Sequence, residues 1–244
     1  MPMELWTAAT PNGWKVSIMF EELREAGVDL PELEVHTVDL MSGEQFSESY
    51  VAINPNQKIP ALVDGDLRLM ESCAILQYLA EKYPTPLLPL DETKWPVLQW
   101  VTWQAANLGP VFGNKLSYTR YLTDVDEMRR AHPLERFTNE AQRLLKVMAK
   151  QLDDNAYLLG DQITIADIAI FPWVRGWKWS KIDITGYQNI VEWVRRVRAR
   201  PAVQRGLQYG IAREEVDQWS ADTKQRYAKL GASMASNAKL DRDG

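Results

Sequence analysis

Two short polar segments of this chain could bind and activate a small ligand. The first is Thr10-Pro11-Asn12-Gly13, which follows an apolar segment and precedes residues with helical spacing. Its hydroxyl, amide and backbone N–H groups would therefore gather at the N-terminus of a helix, where the helix dipole favours anions. Such donors lower the pKa of a bound thiol from its ordinary value of about 8.5. An ordinary helix cap with an Asn-Gly turn is the alternative interpretation of the same residues.

The second segment is Glu71-Ser72, at the start of another predicted helix. Its hydroxyl and the free N–H groups of the helix could hold a carboxylate, while Glu71 could pair with an ammonium group. An amino-acid end group carries both charges, although simple capping is the commoner use of such a pair. The neighbouring Cys73 lacks a Cys-x-x-Cys partner and is followed by apolar residues, so the sequence predicts a packing role for it.

Ile59-Pro60 lies where a third strand is predicted to begin. A proline within a sheet is normally confined to an edge, a bulge or the start of a strand. A cis X-Pro bond costs only about 0.5–1 kcal/mol and would turn the backbone N–H and C=O of Ile59 outward, toward an extended peptide ligand. The alternative is a trans proline that merely begins an edge strand, but the predicted topology around it favours the cis form.

The spacing of apolar residues predicts the elements that position these segments. A strand over Met3–Ala8, a helix that ends near Gly27 and a second strand with a shift of phase between Val35 and Val38 form a βαβ unit. Two apolar segments that flank Asp64-Gly65-Asp66 form an antiparallel hairpin, and a helix follows it. The predicted order is therefore βαβ-ββα.

A proline-rich segment, residues 84–90, separates these elements from a helical region. We expect one domain over residues 1–84, an all-helical domain over 92–210 and a polar C-terminal extension over 211–244. Apolar residues between Leu134 and Leu152 form one long helical stripe, and Thr164-Ile165-Ala166-Asp167 has the form of a capping box. The extension could pack onto the bundle through Trp219, Tyr227 and Leu230.

Composition excludes several function classes. The chain has 244 residues, 45% of them hydrophobic, which is enough for two modest cores without disulfides or metals. A net charge of −5 without a basic block argues against a nucleic-acid partner, and no apolar segment approaches the ~20 residues that span a bilayer. A single cysteine and a start without signal-peptide features predict a cytoplasmic protein. With only two histidines and no cysteine cluster, no metal site is predicted.

Taken together, these features resemble those of the cytosolic glutathione S-transferases over residues 3 to about 208. The resemblance implies an α/β thioredoxin-like N-terminal domain with a mixed four-stranded sheet, followed by an all-α helix bundle. Within that family, the sequence resembles most specifically the branch of the bacterial Nu-class and the yeast prion-protein-like proteins. That narrower resemblance rests on Thr10 to Gly13, Asn54 to Pro60, Glu71-Ser72, Leu108-Gly109-Pro110 with Phe112-Gly113, and Glu135-Arg136.

Membership of that branch implies a role for each site residue. Thr10 and Asn12 would contact the sulfur of glutathione, in place of the tyrosine, serine or cysteine of other classes. The remaining glutathione-binding residues would be Ile59 beside cis-Pro60 for the cysteinyl backbone, Glu71 and Ser72 for the γ-glutamyl end, Gln45 and Lys58 near the glycyl end, and Arg136 from the partner subunit. A residue that acts in trans implies a homodimer with two sites along its interface. Without the resemblance, Arg136 would be interpreted as a solvated charge on a helix.

The sequence departs from the branch near the expected pocket for a second substrate. Asn107 stands where relatives commonly have glycine, and Ser117, Tyr118 and Tyr121 differ from the histidine-rich stretch of some members. An aromatic pocket could be lined by Trp14, Tyr118, Tyr121 and Trp177. Aromatic residues at helical spacing also pack in cores, so both interpretations stay open.

Three functions follow from the resemblance. The first is an enzyme in which the thiolate of bound glutathione, a cosubstrate, reduces disulfide bonds; without a protein cysteine beside Thr10 and Asn12, exchange would run between glutathione molecules and the substrate. The second is conjugation or thiolytic cleavage of aromatic electrophiles such as aryl ethers. The third is a non-catalytic, glutathione-binding regulatory protein, against which the complete set of site residues argues.

Overall fold

The computed structural model describes residues 2–40, 42–122, 125–210, 220–222, 225 and 228–229. Most of the predicted C-terminal extension, including Trp219, Tyr227 and Leu230, lies outside the described residues. The extent of that extension and the domain boundaries at residues 84 and 92 therefore stay predictions.

The N-terminal part is a mixed sheet flanked by helices. Its elements are β1 (Met3–Thr7), α1 (Pro11–Glu25), β2 (Leu33–Thr37), α2 (Glu48–Val51), β3 (Ala61–Asp64), β4 (Leu67–Met70) and α3 (Ser72–Lys82). The strand order is β2-β1-β3-β4, with β1 parallel to β2 and antiparallel to β3. Gly65 makes the β3–β4 turn with a φ of 61°, which a residue without a Cβ adopts at little cost. The predicted βαβ-ββα order and the mixed four-stranded sheet are confirmed.

The predicted shift of phase in the second strand has a structural cause. β2 ends at Thr37, and Val38 continues past the end of β1, donating its N–H to Thr7 O at 2.8 Å. The side chains of Val38 and Leu40 then pack with Ala8 and Tyr50 in a small apolar cluster separate from the main core. The residues after β2 therefore turn toward the loop that carries α2.

The part that follows α3 is helical. Its helices are α4 (Lys94–Trp103), α5 (Gly109–Leu116), α6 (Glu127–Gln151), α7 (Ile165–Val174), α8 (Trp177–Ser180), α9 (Gln188–Arg198) and α10 (Pro201–Gly206), with π-helical segments at Gln104–Leu108 and Ser117–Tyr121. The predicted all-α bundle is confirmed. α6 buries Ala141, Leu144, Leu145 and Met148, which belong to the predicted apolar stripe.

The helix α7 is buried along almost its whole length and joins the two parts of the molecule. It begins at Thr164 with the predicted capping box, in which Asp167 accepts a hydrogen bond from Thr164 N at 3.0 Å. α7 packs against α1, α3 and α4, and a single apolar core extends from the sheet into the helix bundle. This packing places the C-terminal end of α7 next to the N-terminus of α1.

Candidate active site

A cleft of about 600 Å³ opens between the N-terminus of α1, the segment before β3 and the helices α5 and α7. It gathers most of the residues that the sequence singles out. The predicted residues that line it are Thr10, Asn12, Gln45, Lys58, Ile59, Pro60, Glu71, Ser72 and Tyr121. Residues from five separate segments of the chain thus meet in one place.

The other predicted residues lie away from this cleft. Arg136 is exposed on α6, and Trp177 is half-buried in α8. Trp14 is buried in α1 beneath the guanidinium of Arg175, whose carbon lies 4.8 Å from the ring centroid. Tyr118 stacks on Phe137 with ring centroids 6.0 Å apart. Of the proposed aromatic pocket, only Tyr121 lines the cleft, because the helical spacing of the other three directs them into packing contacts.

The polar corner at the start of α1 presents two neutral donors to the cleft. Thr10 is the N-cap of α1, and its Oγ1 accepts a hydrogen bond from Gly13 N at 3.2 Å, so its hydroxyl hydrogen is left to donate elsewhere. Asn12 Oδ1 accepts a hydrogen bond from Trp173 Nε1 at 3.1 Å. A Cβ on Gly13 would lie 2.1 Å from Ala8 O, so only glycine permits this close turn between β1 and α1. The start of α1 is therefore fixed by its close packing on the end of β1 and by the hydrogen bond from Trp173 in α7.

The segment before β3 carries the cis bond between Ile59 and Pro60. Lys58 O accepts hydrogen bonds from Asn54 Nδ2 at 2.5 Å and from Tyr50 OH at 2.6 Å. These two bonds anchor the backbone directly before Ile59. Within the described part of the chain, the backbone N–H and C=O of Ile59 form no hydrogen bond. Both groups therefore stand open to an extended ligand in the cleft.

Glu71 and Ser72 form a polar end of the cleft at the N-terminus of α3. Glu71 has a φ of 68°, a left-handed conformation that is uncommon for a residue with a side chain and that recurs at ligand-binding sites. Asn56 Nδ2 contacts its carboxylate at 3.4 Å. Ser72 is only 7% exposed and begins α3, so the first free N–H groups of that helix lie beside its hydroxyl.

Gln45 contributes a buried amide to the lining of the cleft. Its side chain is 3% exposed, and its Oε1 has no hydrogen-bond partner among the described residues. A buried acceptor without a partner costs about 1–3 kcal/mol, which a donor on a ligand would offset. Lys58 also lines the cleft and adds a second polar side chain to it.

A buried cation lies directly behind Ser72 and was not foreseen from the sequence. Lys15 is 2% exposed and donates to Gln104 Oε1 at 2.7 Å and to Ser72 Oγ at 3.2 Å, with Cys73 Sγ at 3.8 Å. Burial lowers the pKa of Lys15, while Cys73 and Glu71 oppose this shift. Cys73 donates in turn to Gln104 Oε1 at 3.2 Å. A lysine in the apolar phase of α1 is the one sequence signal that pointed to this cluster.

Further residues that line the cleft were also missed. They are Pro11, Leu40, Phe46, Asn54, Asn56, Gln57, Pro110, Gly113, Asn114, Leu116, Ser117 and Trp173. Several of them belong to the motifs on which the family resemblance rests. Those motifs are the sequence signal by which they could have been predicted. Gly113 lies close to Trp173, since a Cβ there would be in van der Waals contact with the indole ring at 3.4 Å.

The described residues contain neither a metal-binding cluster nor a membrane-spanning helix. No group of three or more histidine, cysteine, aspartate or glutamate residues among them is arranged to hold a metal ion. No helix within the same residues has the length and hydropathy needed to cross a membrane.

Comparison with known proteins identifies the family of both parts of the chain. Residues 1–81 match the model for the glutathione S-transferase N-terminal domain, and residues 126–201 match the model for the C-terminal domain. The disulfide-bond oxidoreductase YghU of Escherichia coli (strain K12) is 39% identical over 220 residues, which cover 84% of this chain and 74% of that protein.

Two solved structures resemble this chain in both fold and sequence. A glutathione transferase family member from Pseudomonas fluorescens, with two glutathione bound, superposes with a TM-score of 0.78 at 36% identity, over 84% of this chain and 92% of that one. A glutathione transferase from Pseudomonas putida, with one glutathione disulfide bound per subunit, gives 0.76 at 35% identity, over 85% and 91% of the two chains.

Proposed function

Because this chain belongs to the glutathione S-transferase family, we propose that it is a glutathione-dependent disulfide-bond reductase. One observation carries the proposal. The cleft has two neutral donors at the N-terminus of α1 but no cysteine among its described lining residues, and the single cysteine of the chain, Cys73, donates its thiol to Gln104 behind the cleft. The reactive sulfur must therefore come with the ligand.

The shape of the cleft fits an extended tripeptide with a central thiol. The thiol would lie at Thr10 and Asn12, and the cysteinyl backbone would pair with the open N–H and C=O of Ile59. The γ-glutamyl end would lie at Glu71 and Ser72, where an ammonium meets a carboxylate and a carboxylate meets a hydroxyl and helix N–H groups. The glycyl end would then lie toward Gln45 and Lys58, which both line the cleft.

Donation from Thr10 and Asn12 favours the ionised sulfur and so raises the thiolate fraction at neutral pH. The thiolate attacks one sulfur of the substrate disulfide, forms a mixed disulfide and releases the other sulfur as a thiolate, which takes up a proton. A second glutathione attacks the glutathione sulfur of that mixed disulfide. Glutathione disulfide and the second substrate thiol leave, so two glutathione molecules supply the two electrons. The relatives solved with two glutathione or with glutathione disulfide support this stoichiometry.

We further infer that the working unit is a homodimer in a reducing, cytoplasmic setting. Arg136 is exposed on α6 and does not line the cleft of its own chain. An arginine that contacts glutathione, as the family resemblance implies for Arg136, would then have to reach the site of a second copy.

The test is the double substitution Thr10→Ala with Asn12→Ala, which removes both donors to the sulfur. We expect glutathione-dependent reduction of a small disulfide to fall by about tenfold or more, since each pKa unit of thiol activation corresponds to a factor of ten in the equilibrium. Cys73→Ser is the matched control, because serine keeps a donor toward Gln104 and should leave the rate unchanged. Unaffected turnover in the double variant, or its loss in Cys73→Ser, would contradict the mechanism.

A second candidate function is attack of the same thiolate on an aromatic electrophile. The observation that favours it is the pair of aromatic rings, Tyr121 and Trp173, in the lining of the cleft. Conjugation of an activated aryl halide, measured beside disulfide reduction, separates the two activities. Binding of glutathione without either activity would instead support a regulatory protein.

A further inference from the structure

We propose that Trp173 is a positioning residue that decides which end of the Asn12 side chain faces the sulfur of bound glutathione. This inference rests on the proposed function, since it concerns the same thiol. Trp173 lies in α7 of the helical part, 161 residues from Asn12 in sequence, and its Nε1 is 3.1 Å from Asn12 Oδ1.

The chemistry of the two side chains leaves one orientation. An indole N–H can only donate, whereas an asparagine amide has an acceptor oxygen at one end and a donor NH2 at the other. Trp173 therefore pairs with Oδ1 and keeps the oxygen on its own side. The NH2 of Asn12 has no hydrogen-bond partner among the described residues, and Asn12 lines the cleft. The group left to meet a ligand is thus a donor.

The orientation matters because it sets the sign of the effect on the thiol. The NH2 donor stabilises a thiolate and lowers the pKa of the bound thiol. A rotated amide would present its oxygen to the sulfur, destabilise the thiolate and raise that pKa. Thr10 contributes its own hydroxyl independently, since its Oγ1 is held by Gly13 N. Loss of the Trp173 contact should therefore remove part of the activation.

The packing around Trp173 holds the indole in place for this role. α7 is buried around it, and the ring lies against Gly113 of α5, where a Cβ would come within 3.4 Å of Cη2 and 3.7 Å of Cζ3. The indole therefore packs closely against α5 at Gly113, since even a Cβ there would touch the ring. The helical part of the chain thus controls a donor that belongs to the N-terminal part.

The test is Trp173→Phe, which keeps a ring against Gly113 and removes the N–H. The ultraviolet absorbance of the thiolate, followed as the glutathione complex is titrated with base, reports the pKa of the bound thiol. We expect that pKa to rise by about one unit, with a loss of about tenfold in thiolate at pH values well below it. Trp103→Phe, at a half-buried position in α4 that does not line the cleft, is the matched control and should leave the thiol pKa unchanged.

A double-mutant cycle separates positioning from general loosening of the site. In an Asn12→Ala background there is no amide to orient, so Trp173→Phe should shift the thiol pKa no further. An unchanged pKa in Trp173→Phe, or an equal shift with and without Asn12, would overturn the inference. If the native protein itself gives no thiolate signal with glutathione, the proposed function fails instead.

Discussion

At the scale of single residues, the buried Lys15 determines how Ser72 can serve a ligand. Its ammonium donates to Ser72 Oγ at 3.2 Å, so that oxygen is used as an acceptor and its own hydrogen is left to donate. The cleft side of Ser72 is then a donor suited to a carboxylate. The sequence places Lys15 in the apolar phase of α1 but does not indicate Ser72 as its partner, because a lysine in a helix is usually a solvated charge.

The lowered pKa of Lys15 predicts a pH dependence of stability. The unfolded chain, with a lysine pKa near 10.5, binds more protons than the folded chain at pH values between the folded pKa and 10.5. The unfolding free energy of the native protein should therefore rise relative to that of Lys15→Met as the pH increases through this window, because the penalty for burying a charge disappears. Urea unfolding at a series of pH values measures the difference.

Two features of the design isolate Lys15. Cys73 and Glu71 act on it electrostatically, so the comparison is repeated with Cys73→Ser in both proteins, while Glu71 is common to both. Lys146→Met, at an exposed position of α6, is the control, and its difference in unfolding free energy should not change with pH. A flat difference for Lys15→Met as well would mean that the ammonium is not desolvated.

At the scale of elements, α7 shows how a local signal acquires a long-range role. The capping box was predicted, but Asp167 also accepts hydrogen bonds from Leu158 N at 2.9 Å and from Trp193 Nε1 at 2.8 Å. Its buried carboxylate thus joins the start of α7 to the preceding loop and to α9. The helix that carries Trp173 is fixed at the end opposite the cleft.

We expect Asp167→Asn to destabilise the fold. A carboxylate accepts at both oxygens, whereas an amide turns its NH2 toward groups that also donate, and at least one buried donor loses its partner. The expected loss in unfolding free energy is about 1–3 kcal/mol, measured by urea denaturation. Asp154→Asn, at an exposed position, should change it by less than about 0.5 kcal/mol. Equal stability of the two variants would show that the hydrogen bonds of the Asp167 carboxylate do not stabilise the fold.

At the scale of the whole molecule, the last described helices hold α1 and hence the donors at its start. Arg200 binds the carboxylate of Glu22 through two contacts of 2.6 Å, and Ser17 Oγ donates to Gly206 O at 2.7 Å. A Cβ on Gly206 would lie 2.6 Å from Ile18 Cα, so α10 packs against α1 at a distance that leaves no room for a side chain at residue 206. The helical part thus contacts α1 along its length and, through Trp173, near its first turn.

The proposed homodimer predicts complementation between two impaired variants. Arg136→Ala and Asn12→Ala are each expected to reduce activity. In a mixed dimer, one site combines the intact Asn12 of one copy with the intact Arg136 of the other. Random mixing should therefore restore about a quarter of the native sites. Disulfide reductase activity of the separate variants, and of an equimolar co-refolded mixture, measures this.

The outcome distinguishes the two placements of Arg136. If the arginine acts within its own chain, every site in the mixture keeps a defect, and the activity equals the average of the two variants. Native protein that is diluted and refolded in the same way is the control for recovery.

The sequence by itself determined the order of elements, the capping of α1 and α7 and the family. These rest on local spacing, turn chemistry and motifs, which are properties of consecutive residues. It also indicated part of the cleft, because Thr10, Ile59 and Glu71 each lie at a predicted element boundary. The mixed sheet then brings those boundaries together, since β1 and β3 are paired neighbours.

Only the tertiary structure decided which distant residues contact these site residues. Lys15 meets Ser72 across 57 residues, and Trp173 meets Asn12 across 161. It also placed Trp14 under Arg175 and Tyr118 on Phe137, away from the cleft. The reason is physical: helical spacing shows that a side chain packs inward, but its partner is set by how α1, α5 and α7 pack together, and no single helix encodes that arrangement.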